Sequence, residues 1–486
     1  MKKTVCATCV TPCVYVYFYL LVKCKSEQLL QCFFNSITAM DPRLFYGSSS
    51  VAVRELPNGN DSEESDLSDE ESALRPQTVL APDSDEDSVS LPTERIVIPD
   101  SDDALDSDAD DVPLCLIRNS HDKRSTSSGD LKNLKWRPRN MEKFKEEVKF
   151  EGHQDLPEEI QQLSTPIDYF KYFVTDEILQ YVVEQSNLYA TQSRPTKPSC
   201  LTKNELEQFI GMTLYMSVIQ LPATRHYWNG RLGHESVSEV MDCNRWEEIK
   251  RFIHFNDNTT FVPAGDPGHD KLHKIRPLLE RIRERLGRVP KEEFLAVDEQ
   301  IIPTKCRSSI KQYNAKKPHK WGYKAFVLSC ISGFSYDFEI FSGAQSNVVP
   351  SGTPDLGASS NVVVRLSQSV PRNVNHKIFF DNWLTSVPLQ VYLKKEGILS
   401  LGTVRATRIP NCDVPTESEM KREGRGSMKE KVAMVDDVEL SLVTWYDNKT
   451  VNTLWTYAGS RPTGEKRRYF RKEKTYKTMS ILNFSL

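Results

Sequence analysis

No Gly-x-Ser-x-Gly, P-loop or His-Glu-x-x-His stretch occurs in the 486 residues, so the common serine-hydrolase, P-loop nucleotide and zinc-peptidase signatures are excluded. A disulfide pattern is also lacking. Five of the eleven cysteines precede Met40 (Cys6, Cys9, Cys13, Cys24, Cys32), and the other six are scattered singly, as in a reduced compartment. Cys6 and Cys9 have zinc-ligand spacing, but no second pair or histidine lies close by, so no zinc site is expected there. Long apolar runs are missing too. The stretch from Val14 to Val22 follows a basic start, like a short signal peptide, and is too short to span a bilayer securely. No small-residue cleavage site follows Cys24, so we prefer residues 1–39 as a doubtful upstream extension before Met40, with export as the alternative.

Basic residues are scarce in one region only. From Asp61 to Val112 there are 19 acids and 2 bases, while the rest of the chain holds 48 acids against 61 bases. The overall charge of −4 therefore hides an acidic arm on a basic body, which suggests that the body meets a polyanion. The arm, residues 40–134, has too little apolar material to offset the cost of ordering and is expected to be a disordered, solvated spacer. Ser68 and Ser84, set among acids, would suit an acidophilic kinase.

From Trp136 onward the pattern is that of a folded chain. Phe170, Phe173, Val174, Ile178, Leu179, Val182 and Val183 recur at helical spacing. Thr202 and Glu205 form a capping box ahead of Leu206, Phe209, Ile210, Leu214 and Met216, and Pro222 ends that helix. "SVSEVMDCNRWEEIKRFIHF" and "HKIRPLLERIRERLG" predict two more helices. The period then changes. "FLAVDEQIIP" predicts a strand carrying Asp298, the runs either side of Gly333 a hairpin, and "NVVVRLSQSV" a helix. "HKIFFDNWLTSVPLQVYL" predicts a strand that stops at Asp381 before a helix begins. An unpaired carboxylate is costly to desolvate, so Asp381 is either at a solvated strand end or held by a partner such as a metal ion. Two acids on neighbouring strands are what metal-assisted phosphodiester chemistry needs, although acids at strand ends are common in any protein.

"FLAVDEQIIPTKCRSSIKQYNAKKPHKWGYK", "HKIFFDNWLTS", "GILSLGTVRATR" and "MTLYMSVIQLPATRHYW" together resemble the piggyBac transposase family, including its domesticated transposable-element-derived members. The resemblance implies an α+β or α/β chain: a helical dimerisation and DNA-binding domain, then an RNase H-like core interrupted by a β-rich insertion. It implies catalytic and metal-binding roles for Asp298 and Asp381, Mg²⁺ or Mn²⁺ as cofactor, double-stranded DNA as partner, a homodimer and a nuclear location. On this basis 135–292 is the helical domain and 293–395 the first part of the core. The insertion is 396–436, a β-rich return segment with a basic tail is 437–477, and 478–486 is an aberrant C-terminus.

The resemblance breaks at the third acid. The family carries it in a Gly-Gly-Val-Asp motif; here the chain runs from Thr478 into "MSILNFSL", and the cysteine-rich zinc domain is absent. Asp447, in "TWYDNKTVNTLW", reads as a turn residue between two strands. The chain thus resembles a C-terminally truncated transposase: either a DNA-binding protein unable to cut and join DNA, or an active enzyme whose C-terminus is missing from the sequence. Lys305, Arg307, Lys311, Lys316, Lys317 and Lys320, interleaved with Tyr313, Trp321 and Tyr323, suit phosphates and stacked bases beside Asp298, or else form a solvated loop. Arg405 and Arg408 are further candidates for phosphate contact. "EKRRYFRKEK" suits a nuclear-localisation signal or a DNA-contacting strand.

Overall fold

The computed structural model describes residues 131–482, apart from 132, 143–144, 305–307, 316, 318–319, 344–345 and 471–473. The expectations for 1–39, for the arm up to 130, for Lys305, Arg307 and Lys316, and for 483–486 lie outside the described residues. Within them, no helix is long and apolar enough to cross a membrane.

The helical part follows its caps. α1 (Pro166–Phe173) starts from a capping box between Thr165 and Asp168. The apolar run then breaks at Val174, because the Thr175 side chain accepts from the Ile178 N–H and opens α2 (Asp176–Ser193). α3 (Lys203–Val218) has the Thr202–Glu205 capping box that the sequence predicts. "SVSEVMDCNRWEEIKRFIHF" is not one helix: Asp242 accepts from Asn244 and Arg245, so α4 (Cys243–Phe252) begins there, after a short helical turn. α5 (Arg276–Gly287) buries Leu278, Leu279, Ile282 and Leu286. Burying each such side chain contributes about 1.5–3 kcal/mol. Arg283 of α5 reaches the buried Asp337 through two hydrogen bonds of 2.6 and 3.1 Å, tying helix to sheet.

The rest is built on one mixed sheet. β1 (Phe294–Pro303) runs antiparallel to β3 (Trp321–Cys330), whose far edge takes β2 (Lys311–Tyr313) and β4 (Ser335–Ile340). Gly333, at φ +85°, makes the β3–β4 turn. On its other side β1 pairs in parallel with β5 (Lys377–Phe380), and β5 in parallel with β6 (Leu399–Thr403). The crossovers carry α6 (Ala358–Ser367) and α7 (Val387–Lys395), so β5 is buried almost throughout, as parallel strands are. The sheet continues through β9 (Thr450–Trp455), β8 (Val438–Tyr446) and β7 (Met428–Val435). Residues 396–436 therefore supply β6 and β7 to this same sheet, with α8 (Glu417–Glu423) between them. β10 (Thr463–Phe470) and β11 (Thr475–Leu482) pair only with each other, and 478–482 continue β11 with Met479 and Leu482 buried.

Residues 134–142 and 145–151 are not part of the helical bundle. They lie along the sheet, where Arg137 exchanges two backbone hydrogen bonds with Val432 and covers the β7 edge. Glu430 locks this strap. Its carboxylate accepts from the Met141 N–H, Ser441 Oγ, and the N–H and Oγ of Ser460, at 2.7–2.8 Å. A Cβ at Gly459 would sit 2.2 Å from its Oε1, so only glycine leaves room.

Glu430→Ala leaves these donors without their acceptor and is expected to cost about 3 kcal/mol in urea unfolding. His376 gives a pH signature. It is buried, and burial lowers its pKa from the usual 6.5, with Lys291 and Lys377 acting the same way and the Glu292 carbonyl and Glu293 opposing. The unfolded chain therefore binds the proton first, and stability falls as pH drops from 6.5 toward the depressed folded value. Urea midpoints at about pH 7.5 and 5.5 should differ less in His376→Gln than in the parent; His254, lowered by burial as well, keeps part of the slope.

Candidate functional site

In the parallel pair of β1 and β5 the last matched residues are Val297 and Phe380. Asp298, still within β1 and paired with Val327 of β3, and Asp381, just past the end of β5, follow them directly, so the two residues lie side by side on strands about 4.8 Å apart. Both residues are exposed, and neither has an ion-pair partner among the described residues. This position, at the carboxyl end of a parallel strand beside a crossover, is where open α/β sheets bind ligands.

The turn after Asp381 is heavily held. Asp381 Oδ1 accepts from the N–H groups of Trp383 and Leu384 at 3.1 and 3.2 Å, and its carbonyl accepts from Thr385 Oγ1 at 2.7 Å. Gly402 of β6 makes room: a Cβ there would meet Thr385 Oγ1 at 2.2 Å and the Phe380 ring at 2.7 Å. Arg408 donates to the carbonyls of Asn382, Trp383 and Thr385, and Arg405 to Asn382 Oδ1 at 3.2 Å. The Trp383 ring lies parallel to Phe326 at 5.6 Å, with Lys324 Nζ 4.5 Å from its centroid.

The electrostatics are those of a carboxylate set against protein, with negative charge as a lesser contribution. Loss of hydration to neighbouring protein raises the pKa of Asp381, and the charges of Asp298 and Glu299 raise it further, while the Leu384 and Trp383 N–H groups pull it down. A divalent cation would offset those charges, and two carboxylates with water are a fitting donor set for Mg²⁺. No group of three or more His, Cys, Asp or Glu that could hold a metal occurs among the described residues.

Comparison with known proteins shows the family. Residues 165–486 match the family described as Transposase IS4. The chain belongs to this family, as a protein of the piggyBac type. Human PiggyBac transposable element-derived protein 3 is 27% identical over 317 residues, 64% of this chain and 51% of that protein. Human PiggyBac transposable element-derived protein 2 is 29% identical over 307 residues, 62% of this chain and 50% of that one. The chain thus spans about half the length of these curated relatives. Among solved structures, a piggyBac transposase synaptic complex with hairpin DNA superposes with a TM-score of 0.51 at 21% identity, covering 62% of this chain and 63% of that one, a likeness of fold.

The predicted basic residues of the piggyBac-type chain are placed unequally. Lys311 lies 5.2 Å from the Trp321 ring, and Tyr313 packs on Trp321 with both rings about half exposed. Lys320 is exposed. Lys317 lies 3.7 Å from Glu299, which also binds Lys324 at 2.7 Å and Asn314 at 3.1 Å. Arg405 and Arg408 are brought to the Asp381 turn. Asp447 lies in the β8–β9 turn, paired with Arg425. The support given by Glu299, Lys324 and Gly402 was missed. The glutamate after Asp298 was a visible signal, but its partners come from β3 and from the chain between β2 and β3.

Arg408→Ala removes the one side chain that spans three carbonyls of this turn. Amide hydrogen exchange at Trp383, Leu384 and Thr385 is expected to speed up by roughly tenfold, and Arg408→Lys, lacking the planar fork, should restore little of the protection.

Proposed function

We propose that this chain is a transposase-derived DNA-binding protein of the nucleus, acting as a homodimer on duplex DNA, with Asp298 and Asp381 as ligands for Mg²⁺ or Mn²⁺. The observation that carries this is the matched register that sets the two aspartates side by side. The strand order β4-β3-β1-β5-β6, with β5 and β6 parallel to β1, supports the RNase H-like core of the resemblance. Helices α1 to α5 take the place of its DNA-binding and dimerisation domain. The bound ion would polarise a phosphate oxygen as a Lewis acid. Asp298 and Asp381 would hold it, and Lys311 and Lys320 of the β2–β3 hairpin would meet the DNA backbone beside it.

Two carboxylates are a sparse donor set for the paired ions that in-line strand transfer uses, and we propose that this site binds DNA and metal without cutting. A working strand-transfer enzyme is the second reading, favoured by the intact alignment of the two acids. A labelled terminal-repeat duplex incubated with Mg²⁺ or Mn²⁺ separates them: uncut duplex supports the first, and cleavage lost on Asp298→Ala or Asp381→Ala supports the second. If Asp447→Ala alone abolished cutting, the metal assignment would be wrong.

DNA binding itself is expected to weaken steeply with salt. Changing Lys311, Lys317 and Lys320 to Glu should flatten the slope of log K against log salt by roughly 0.9 for each phosphate no longer neutralised, with Lys317 contributing least because Glu299 shares its charge. Duplex binding that ignores salt, or no duplex binding, would overturn the reading.

A further inference from the structure

The β10–β11 ribbon has two unlike faces. Directly opposed residues of an antiparallel pair share a face. One face carries Lys466 opposite Met479 and Arg468 opposite Lys477, and it is docked on the body. Met479 is buried, Arg468 lies 4.0 Å from Asp447, the Arg425 guanidinium stacks on Phe470 at 4.9 Å, and Arg425 also donates to the Tyr469 carbonyl at 2.9 Å. Trp445 Nε1 donates to the Ser480 carbonyl at 3.3 Å. The other face buries Leu482, opposite Thr463, at the far end, and toward the β10–β11 turn it is open, with Arg467 opposite Thr478 and Tyr469 opposite Tyr476. Tyr469 is 46% and Tyr476 58% exposed, their rings lie 5.1 Å apart, and Arg467 sits over Tyr476 at 5.1 Å.

A cross-strand aromatic pair can serve only to steady a ribbon, at about 0.2–1 kcal/mol. That purpose does not call for an arginine over the ring or for the surrounding charge. Lys466, Arg467, Arg468, Lys474 and Lys477 stand in the described ribbon against a single acid, Glu465. Half-exposed rings amid cations are the composition of a platform for single-stranded nucleic acid, in which bases stack and phosphates pair. A duplex shows only the edges of its bases, and its phosphates need no rings. We infer that the open face of the β10–β11 ribbon binds a single-stranded stretch of DNA, with bases stacked on Tyr469 and Tyr476 and a phosphate held by Arg467. The inference rests on the DNA-binding reading and adds a second binding surface, for unpaired bases, to the duplex surface on the β2–β3 hairpin.

The test uses the full chain and a labelled single-stranded oligonucleotide of about 16 nucleotides, the upper end of common single-strand site sizes. Tyr469→Val and Tyr476→Val keep strand propensity without a ring. Each is expected to weaken binding roughly tenfold without changing the salt slope, while Tyr→Phe at either position stays within about twofold of the parent. Arg467→Ser should reduce the salt slope by about 0.7, the value for one phosphate on a single strand. Duplex binding measured alongside should be unaffected by the tyrosine changes and weakened by Lys311→Glu and Lys320→Glu. Valine variants that bind the oligonucleotide like the parent, or phenylalanine variants that lose as much as valine, would overturn the inference and leave the duplex reading standing. Parent protein that binds the single strand through these tyrosines but no duplex would overturn the duplex reading instead. Thermal unfolding of each variant identifies any loss due to a collapsed ribbon; in that case the Arg467→Ser slope decides.

Discussion

The parallel register of β1 and β5 fixes Val297 against Phe380, and the two aspartates can meet only because both strands then end their pairing at the same level. A slip of one residue would send every side chain of β5 to the opposite face. The register is held by burial on both sides, with Leu295, Val297, Ile378 and Phe380 at 6% exposure or less, and by helices α6 and α7, which close the crossovers. Large apolar side chains in the middle of the sheet thus determine the position of two carboxylates at its edge.

Holding negative charges together has a cost, and the neighbouring chain is arranged to bear it. Asp381 lies in a turn in which two N–H groups face its carboxylate, Thr385 bonds its carbonyl, and Arg408 gathers three carbonyls beyond it. The arginine donates to backbone carbonyls and makes no ion pair with these carboxylates. Glu299, the next residue of β1, is satisfied differently, by Lys324, Lys317 and Asn314. The result separates two kinds of acid: Glu299, closed by protein cations, and Asp298 and Asp381, which have no ion-pair partner among the described residues.

The sheet does not stop at the parallel strands. β6 passes its edge to β9, and β8 and β7 carry it on to the strap of residues 134–142 and 145–151. Glu430 is the junction of that region, accepting from strap, sheet and loop at once, and Gly459 gives it space. The basic β10–β11 ribbon hangs from this extension through Arg425, Asp447 and Phe470. Asp447 is thereby engaged in a structural ion pair in the β8–β9 turn.

Local patterns in the sequence were sufficient for some of the elements. β1 has the bounds of its apolar run, the Thr202–Glu205 box starts α3, and Gly333 makes the hairpin turn. Caps that compete inside an apolar run were harder to weigh, which is why Thr175 and Asp242 divide helices that periodicity alone would join. Asp298 and Asp381 were legible as a pair through the resemblance, since each ends or interrupts an apolar strand. What they share a turn with was not. Arg405 and Arg408 read as free phosphate contacts because nothing local shows that their guanidinium groups fold back onto Asn382, Trp383 and Thr385, some 25 residues earlier. Lys317 read as a phosphate contact or a solvated loop residue because nothing local shows that Glu299 of β1, which Lys324 of β3 also meets, lies within its reach. A side chain's chemistry is written in the sequence, but its remaining charge depends on which distant partner the fold brings within about 3 Å, and only the tertiary structure sets that distance.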